Sequence, residues 1–372
     1  MPKQEKLFTI FYYLGLLQLA VWFRRLFGPR LIILNYHRAS GGDLRNHLLY
    51  LRRHYRILHL EEALKELYEV NKSAKQVRDR RTMLVLTFDD GHHDIYTHAF
   101  PLARELQVPI TVFLIPGYIE SPDCYWWLVG DCLVEQAQVD KASIEGCSYD
   151  LSRPEGRTAL ARAIYTRARE AQSVAEREAF LTMVRAALAV PALLLTEKEA
   201  VVNWEEIREM ERSGWVSYGA HTMHHPVLAY LNDPAEIQYE VAECLTVLEQ
   251  QLGHPVRTFA YPIGKAEHIG QRALQGVRGA GYAAALTTIY GVNTPESDPL
   301  QLHRIAVDVS WHWLLIAADA AGVRNLLKPG FSFWKGMLSA GRMLVNSLLT
   351  FQKSVMSFPV KLDDKSDEIN TA

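Results

Sequence analysis

The chain has 372 residues, 49% hydrophobic and 22% charged, with a formal net charge of -2. This is an ordinary globular balance, long enough for two domains or for one α/β barrel of about 200–250 residues with additions. The charge gives no electrostatic case for nucleic acid, no basic stripe is backed by aromatics, and the four cysteines (Cys124, Cys132, Cys147, Cys244) form no C-x-x-C pair of the kind that builds a thiolate zinc site.

The apolar run Leu7–Phe23 comes first, with Lys3 and Lys6 before it and Arg24, Arg25 and Arg30 after it. As one helix it spans about 25 Å, slightly less than the ~30 Å hydrocarbon core of a bilayer. No small-residue cleavage signature follows, which disfavours a removed signal peptide. Basic residues on both sides leave the orientation open. Residues 1–30 are therefore read as a membrane-associating helix that spans, lies on the surface or docks on the body of the protein. Leu31–Leu34 reads as a strand ending at Asn35-Tyr36-His37-Arg38. Helices are expected at Leu44–Tyr55 and Leu60–Val70 around a short strand at Arg56–Leu58, followed by a charged linker at Asn71–Arg81. A strand at 83–88, a helix at 94–106 and a strand at Ile110–Ile115 that stops at Pro116-Gly117 indicate parallel βαβ units.

The alternation then breaks. Residues 118–200 are read as a helical insertion with few strand signals, and Thr158–Ala189, rich in Ala, Arg, Glu and Leu, as one or two helices. The pattern resumes with a helix at Asn203–Arg212 and a strand at 215–220. A long helix, capped by Asp233, opened by Pro234 and closed by Gly253, follows. Strands near 257–260, 282–286 and 303–307 and a helix at 266–278 complete about seven strands alternating with helices. Residues 31–325 are read as one domain. In 326–372, Phe331–Val360 mixes large apolar residues with Lys335, Arg342 and Lys353 as a membrane-surface helix does, and Leu362–Ala372 is a polar tail. The two ends together suggest association with a bacterial inner membrane, on a face that the sequence does not assign. Oligomeric state is likewise not assigned.

Two stretches carry chemistry. Asp89 and Asp90 stand side by side at the end of the strand 83–88, before Gly91. Two adjacent acids there stay ionised only with a cation or a proton between them. His221 and His225 follow the strand 215–220. Two imidazoles and a carboxylate, Asp90, at strand ends make a divalent-metal site with open positions. Each stretch alone has an ordinary reading, since an acidic pair before glycine is most often a solvated turn. His224 is not read as a ligand, and His92 and His93 are read at most as neighbours of the ligands.

In this order, Thr87-Phe88-Asp89-Asp90-Gly91, His221-Thr222-Met223-His224-His225 and Phe259-Ala260-Tyr261-Pro262-Ile263-Gly264 resemble the three motifs of the NodB-homology polysaccharide deacetylases, carbohydrate esterase family 4. The third motif is in the F-A-Y-P form of exopolysaccharide deacetylases. The resemblance covers roughly 31–310 and implies a deformed (β/α)7 barrel, here with a helical insertion and helical N- and C-terminal extensions. It implies that Asp90, His221 and His225 hold a divalent metal. Zinc is the first choice, with Co2+, Ni2+ and Fe2+ as alternatives. It also implies that Asp89 is the general base and that a backbone N–H near Tyr261 faces the oxyanion. Many members carry an arginine where this chain has Ala260, and Arg304 is the replacement offered for orienting Asp89. The family's late acid histidine has no clean match. His303 is the choice, near the last strand, with His312 and His37 as alternatives.

The reading is a metal-dependent hydrolase that removes N-acetyl groups from amino sugars of a polysaccharide or lipid-linked glycan. The alternatives are an O-acetyl esterase or deformylase on a lipid-linked aminosugar, a catalytically silent glycan-binding subunit, and a membrane-docked structural protein. Tyr125, Trp126 and Trp127 are candidates for stacking on sugar rings or at a membrane interface.

Overall fold

The computed structural model describes residues 3–25, 28–69, 79, 81–196 and 199–323. Its strands are β1 (Leu31–Tyr36), β2 (Arg56–Ile57), β3 (Met83–Phe88), β4 (Ile110–Leu114), β5 (Lys141–Ile144), β6 (Cys147–Asp150), β7 (Val216–Ala220), β8 (Thr258–Ala260), β9 (Ala284–Tyr290) and β10 (Leu302–Ala306). The sheet runs β1-β10-β9-β8-β7-β4-β3, and β1 pairs with β3 to close it. Seven parallel strands thus form the expected (β/α)7 barrel. The barrel is irregular at β3. One edge of β3 pairs along its length with β1, while the other is shared between β2 at Met83 and Leu84 and β4 at Thr87 and Phe88.

The strands read as continuous apolar runs because both faces are covered: all six residues of β1 and of β3 are buried. Leu31, Ile33, Met83, Val85, Leu286 and Leu302 share one apolar cluster with Leu60, Ala63 and Leu67. Residues from strands right round the barrel meet only in its interior, so helix Leu60–Tyr68 plugs the end opposite the strand C-termini. Helix ends follow local chemistry. Asn203 and Glu206 form a reciprocal capping box before Trp204. Asp233 accepts from the Ala235 N–H, and Gly253 closes the same helix at φ +77.

The segment between β4 and β7 packs helices Trp126–Glu135, Pro154–Arg169 and Val174–Ala187 around its own cluster, which includes Tyr125, Trp126, Leu133, Leu160, Ile164 and Val184. It also contains the antiparallel hairpin β5–β6, which the sequence reading passed over. The signal was short: Glu145 at φ +50 and Gly146 at φ +81 make a two-residue left-handed turn between two four-residue strands.

The expected single helix over Leu7–Phe23 is instead two, Lys3–Tyr13 and Leu16–Arg25, parted at Gly15 with φ +71. Among the described residues no helix is long and apolar enough to cross a membrane. The pair docks on the domain. Phe8 and Leu17 are buried, and the Tyr12 ring meets Trp313 edge-on at 5.0 Å and Tyr50 at 6.3 Å. The C-terminal segment expected at 326–372 lies outside the described residues.

Candidate active site

Because the barrel strands are parallel, the turns after β3, β7 and β8 open at one end, where α/β barrels place their chemistry. Each of these turns holds a non-glycine residue in the left-handed region: Asp90 at φ +75, Thr222 at +65 and His225 at +55, and Ile263 at +59. Such conformations persist where the surroundings over-determine them. Here Tyr125 Oη donates to the Asp90 carbonyl at 2.6 Å and Trp126 Nε1 to the His225 carbonyl at 2.9 Å. Thr222 Oγ1 accepts from the His225 N–H at 2.9 Å, and Thr288 Oγ1 donates to the Ile263 carbonyl at 2.6 Å. At Gly91, φ is +81 and a Cβ would lie 2.9 Å from Leu114 Cδ2, so only glycine fits directly behind the acidic pair.

Asp90, His221 and His225 converge, each offering one ligand atom within 4.8 Å of the others, and all three are buried. His221 Nε2 is 3.5 Å and His225 Nε2 is 3.7 Å from Asp90 Oδ1. His221 Nδ1 lies 2.7 Å from the Ala260 carbonyl, which only accepts, so that nitrogen carries the proton and Nε2 turns its lone pair to Asp90. Asp90 Oδ1 is buried and meets no hydrogen-bond donor. Acceptors facing one another without a donor suit a cation between them, and two imidazole nitrogens with one carboxylate oxygen are a donor set for a divalent transition metal.

The electrostatics agree at Asp90 and His225, while His221 is drawn towards its charged form by the two acids. Burial works to raise Asp90, but its interactions with His221 and His92 and the charges of His37 and His225 hold it well below the usual carboxylate range. Burial opposes protonation of His221, and its interactions with Asp90 and the Asp89 charge outweigh this and raise it. Burial, followed by the charge of His221, pushes His225 down to about 3, so that ring is neutral and able to act as a ligand.

Asp89 lies beside this cluster and is held from across the barrel. Arg304 Nη1 donates to Oδ1 at 2.7 Å and Nη2 to Oδ2 at 2.8 Å. The guanidinium also donates to the Thr287 carbonyl at 2.8 Å and to Asn35 Oδ1 at 3.1 Å. Burial tends to raise Asp89, while Arg304, then His221 and His37, bring it below its ordinary value.

The other sequence candidates separate. His303 is adjacent to Arg304 on β10, and neighbouring residues of a strand point to opposite faces. Arg304 takes the barrel interior, whereas the His303 ring crosses over Gly291, where a Cβ would lie 2.2 Å from Nδ1. His303 is therefore not brought to the cluster. His312 caps helix Trp313–Ala320, its Nδ1 accepting from the Leu314 N–H at 3.3 Å. His37, just beyond β1, is exposed at the mouth and within electrostatic reach of both acids. The Tyr261 N–H, expected to face an oxyanion, donates instead to the Leu286 carbonyl at 3.0 Å, extending the β8–β9 ladder by one residue. Pro262 has no N–H, and the Gly264 N–H turns back to the Pro262 carbonyl at 2.6 Å. The Ile263 N–H makes no hydrogen bond among the described residues.

The structure adds partners that the sequence reading does not include, Glu240, Asp94 and Glu206. Glu240 is buried and accepts from the His224 N–H at 2.8 Å and from His224 Nδ1 at 2.7 Å, which pins the turn between His221 and His225. Arg38 donates to His92 Nδ1 at 2.7 Å and pairs with Asp94, while His92 Nε2 is 3.6 Å from Asp90 Oδ2. His93 is tied to Glu206 at 3.0 Å. Of the aromatic trio, Tyr125 and Trp126 are buried. Trp127 is half-buried, stacked on Tyr125 at 4.5 Å and set against the His225 ring at 4.4 Å, so it walls the Asp90–His221–His225 cluster. Nothing in a single sequence marks these partners, because they come from distant segments.

A family model for polysaccharide deacetylases matches residues 76–164 and 176–285. No curated protein matches the chain. Among solved structures, IcaB from Ammonifex degensii is similar at 21% identity, over 79% of this chain and 98% of that one, with a TM-score of 0.51. The deacetylase domain of BpsB from Bordetella bronchiseptica is similar at 16% identity, over 75% and 96% of the two chains, with a TM-score of 0.47. At such identities the IcaB likeness speaks for the fold, while the family match spans more than half of the chain and includes the first, second and third motifs. This chain belongs to the polysaccharide deacetylase family, hydrolases that cleave the carbon–nitrogen bond of an acetylated amino sugar.

Proposed function

We propose that the protein is a metal-dependent N-deacetylase of an exopolysaccharide or a lipid-linked glycan. The observation that carries this reading is the buried, donor-less Asp90 Oδ1 facing two imidazole nitrogens, with a second carboxylate, Asp89, clasped beside it by Arg304. Asp90, His221 and His225 would hold the ion, zinc by first choice. When bound, it supplies Lewis acidity to the substrate carbonyl.

The chain's own residues do the rest. Asp89 is ionised, and its oxygens keep acceptor capacity beyond the two Arg304 bonds. It takes a proton from the water whose oxygen bonds to the acetyl carbon. The Ile263 N–H is the free backbone donor of the third motif, and it faces the oxygen on which negative charge develops. As the carbon–nitrogen bond breaks, the leaving amine needs a proton. His37, near both acids at the mouth, supplies it in place of His303. Trp127 offers an apolar face beside the reacting centre and shields it from water.

The test is acetate release from N-acetylglucosamine oligomers by the full chain, with zinc or cobalt added and after chelation, beside Asp89→Asn. Metal-dependent release that vanishes in Asp89→Asn supports the reading. Release of acetate from O-acetylated but not N-acetylated sugars would replace it with the esterase reading. A metal-loaded chain that binds the oligomers and releases nothing would make it a glycan-binding subunit.

A further inference from the structure

The two N-terminal helices have two apolar faces, and one of them is largely exposed among the described residues. Phe8 and Leu17 are buried against the domain, and Tyr12 sits between Tyr50 and Trp313. On the other side Ile10, Tyr13, Leu14, Leu19, Trp22 and Phe23 are all more than half exposed, from 54% at Phe23 to 81% at Tyr13. The spacing is helical. Leu16, Leu19, Trp22 and Phe23 form one stripe of the second helix, Ile10 and Tyr13 are exposed on the first, and Leu14 is exposed in the turn between them. Single exposed apolar side chains need no explanation, but a contiguous row on consecutive helices marks an interaction surface.

Charge and composition identify the partner. Residues 1–30 contain five basic residues (Lys3, Lys6, Arg24, Arg25 and Arg30) against the single acid Glu5, in a chain whose net charge is -2. The rest of the molecule is acidic, so positive charge is concentrated in the segment that carries the apolar row. Tyr13, Trp22 and Phe23 next to basic residues are the side chains that settle at the boundary between headgroups and acyl chains. The helices have 11 and 10 residues, too short to span, and are parted by the turn at Gly15. We propose that this helix pair is a lipid-docking surface that seats the domain on an anionic membrane by the exposed Tyr13–Phe23 row.

The Tyr13–Leu14 end of this surface lies towards the mouth of the active site, while Val21 at its other end lies with Arg30, Ile32 and Thr82 at the strand starts. Trp313, which Tyr12 touches, opens the helix that follows the loop containing Asp308, and Asp308 is within electrostatic reach of His37. A glycan anchored in the same bilayer would meet the barrel mouth beside the Tyr13–Leu14 turn. The docking itself does not depend on the deacetylase reading.

The experiment is flotation of the full chain with vesicles of equal parts phosphatidylglycerol and phosphatidylcholine. The wild type floats, and less of it floats as salt is raised, because exposed charges are screened. The variant with Tyr13→Ser, Leu14→Ser, Trp22→Ser and Phe23→Ser stays at the bottom and still releases acetate from soluble oligomers as the wild type does. Should that variant misfold, quenching by brominated lipid replaces it: Trp22→Phe must lose a large part of the fluorescence quenching that the wild type shows. A wild type that does not float overturns the proposal, as does a four-site variant that floats equally well. A wild type that sediments as a dimer, with a monomeric variant and no vesicle binding by either, would assign the row to a second copy of this chain. Loss of acetate release in every chain, with flotation intact, would count against the deacetylase reading alone.

Discussion

Arg304 grips Asp89 with both terminal nitrogens, at 2.7 and 2.8 Å, and neither side chain is more than 2% exposed. The acid comes from the end of β3 and the base from β10, two strands that both pair with β1. The barrel's closure therefore brings together residues 215 positions apart. A bidentate guanidinium fixes the plane of a carboxylate as well as its charge.

Removing that grip should harm stability and rate separately. Arg304→Ala strands a buried carboxylate, and breaking a buried pair in this way costs about 3–5 kcal/mol. Arg304→Lys keeps the charge and loses the fork, and should fold with a rate at least ~10-fold lower. Urea unfolding and steady-state kinetics on the two variants check this; equal activity in Arg304→Lys would mean that the plane of Asp89 is irrelevant.

Asp89 and the metal cluster should part cleanly. In Asp89→Asn the ion still binds and the rate drops by at least ~10²-fold. In His221→Ala both binding and activity go. Thermal unfolding with added zinc separates the cases. A ligand at ~100 times its dissociation constant stabilises by about 2.7 kcal/mol, so wild type and Asp89→Asn should shift upward while His221→Ala does not.

Glu240 acts through the turn and touches none of the three ligand atoms. With Glu240→Ala the His224 N–H and Nδ1 lose their partner, and the left-handed conformations at Thr222 and His225 are less well held. Losses of about 10–100-fold in metal affinity are typical when such an outer partner is removed. Competition with a chromophoric chelator measures it, and Glu240→Gln, which keeps one acceptor, should recover part of the affinity.

His37 should matter in proportion to the leaving group. His37→Ala should slow hydrolysis of an N-acetyl amine by at least ~10²-fold and spare an activated aryl acetate, whose leaving group needs no proton. Equal losses on both substrates would point to a role other than proton donation.

Much of this was legible in the chain. The strand runs, the Asp233-Pro234 and Asn203–Glu206 helix starts and the three motifs all rest on contacts within a few residues, which a sequence displays directly. Asp90, His221 and His225 stand out because ligand chemistry limits them to few residue types. The N-terminal run reads as one helix because an apolar pattern does not reveal whether Gly15 sits inside a helix or at φ +71 between two. His303 misled for a related reason. Its place beside the last strand is visible, but the face it occupies is set by register, and one residue decides between barrel interior and exterior.

By itself, then, the sequence determined the alternation of strands and helices, the candidate metal-ligand set and the acid pair, since each depends on residue type and local spacing. The tertiary structure alone decided which groups complete them. Arg304 reaches Asp89 because the barrel closes β1 on both β3 and β10. The Tyr261 N–H is taken by the β8–β9 ladder, which leaves that of Ile263. Glu240 pins the ligand turn from a helix packed outside the barrel, and Tyr125 and Trp126 hold the strained turns from the inserted segment. Partners so far apart in the chain leave no local signal, because only chain packing sets the distance between them.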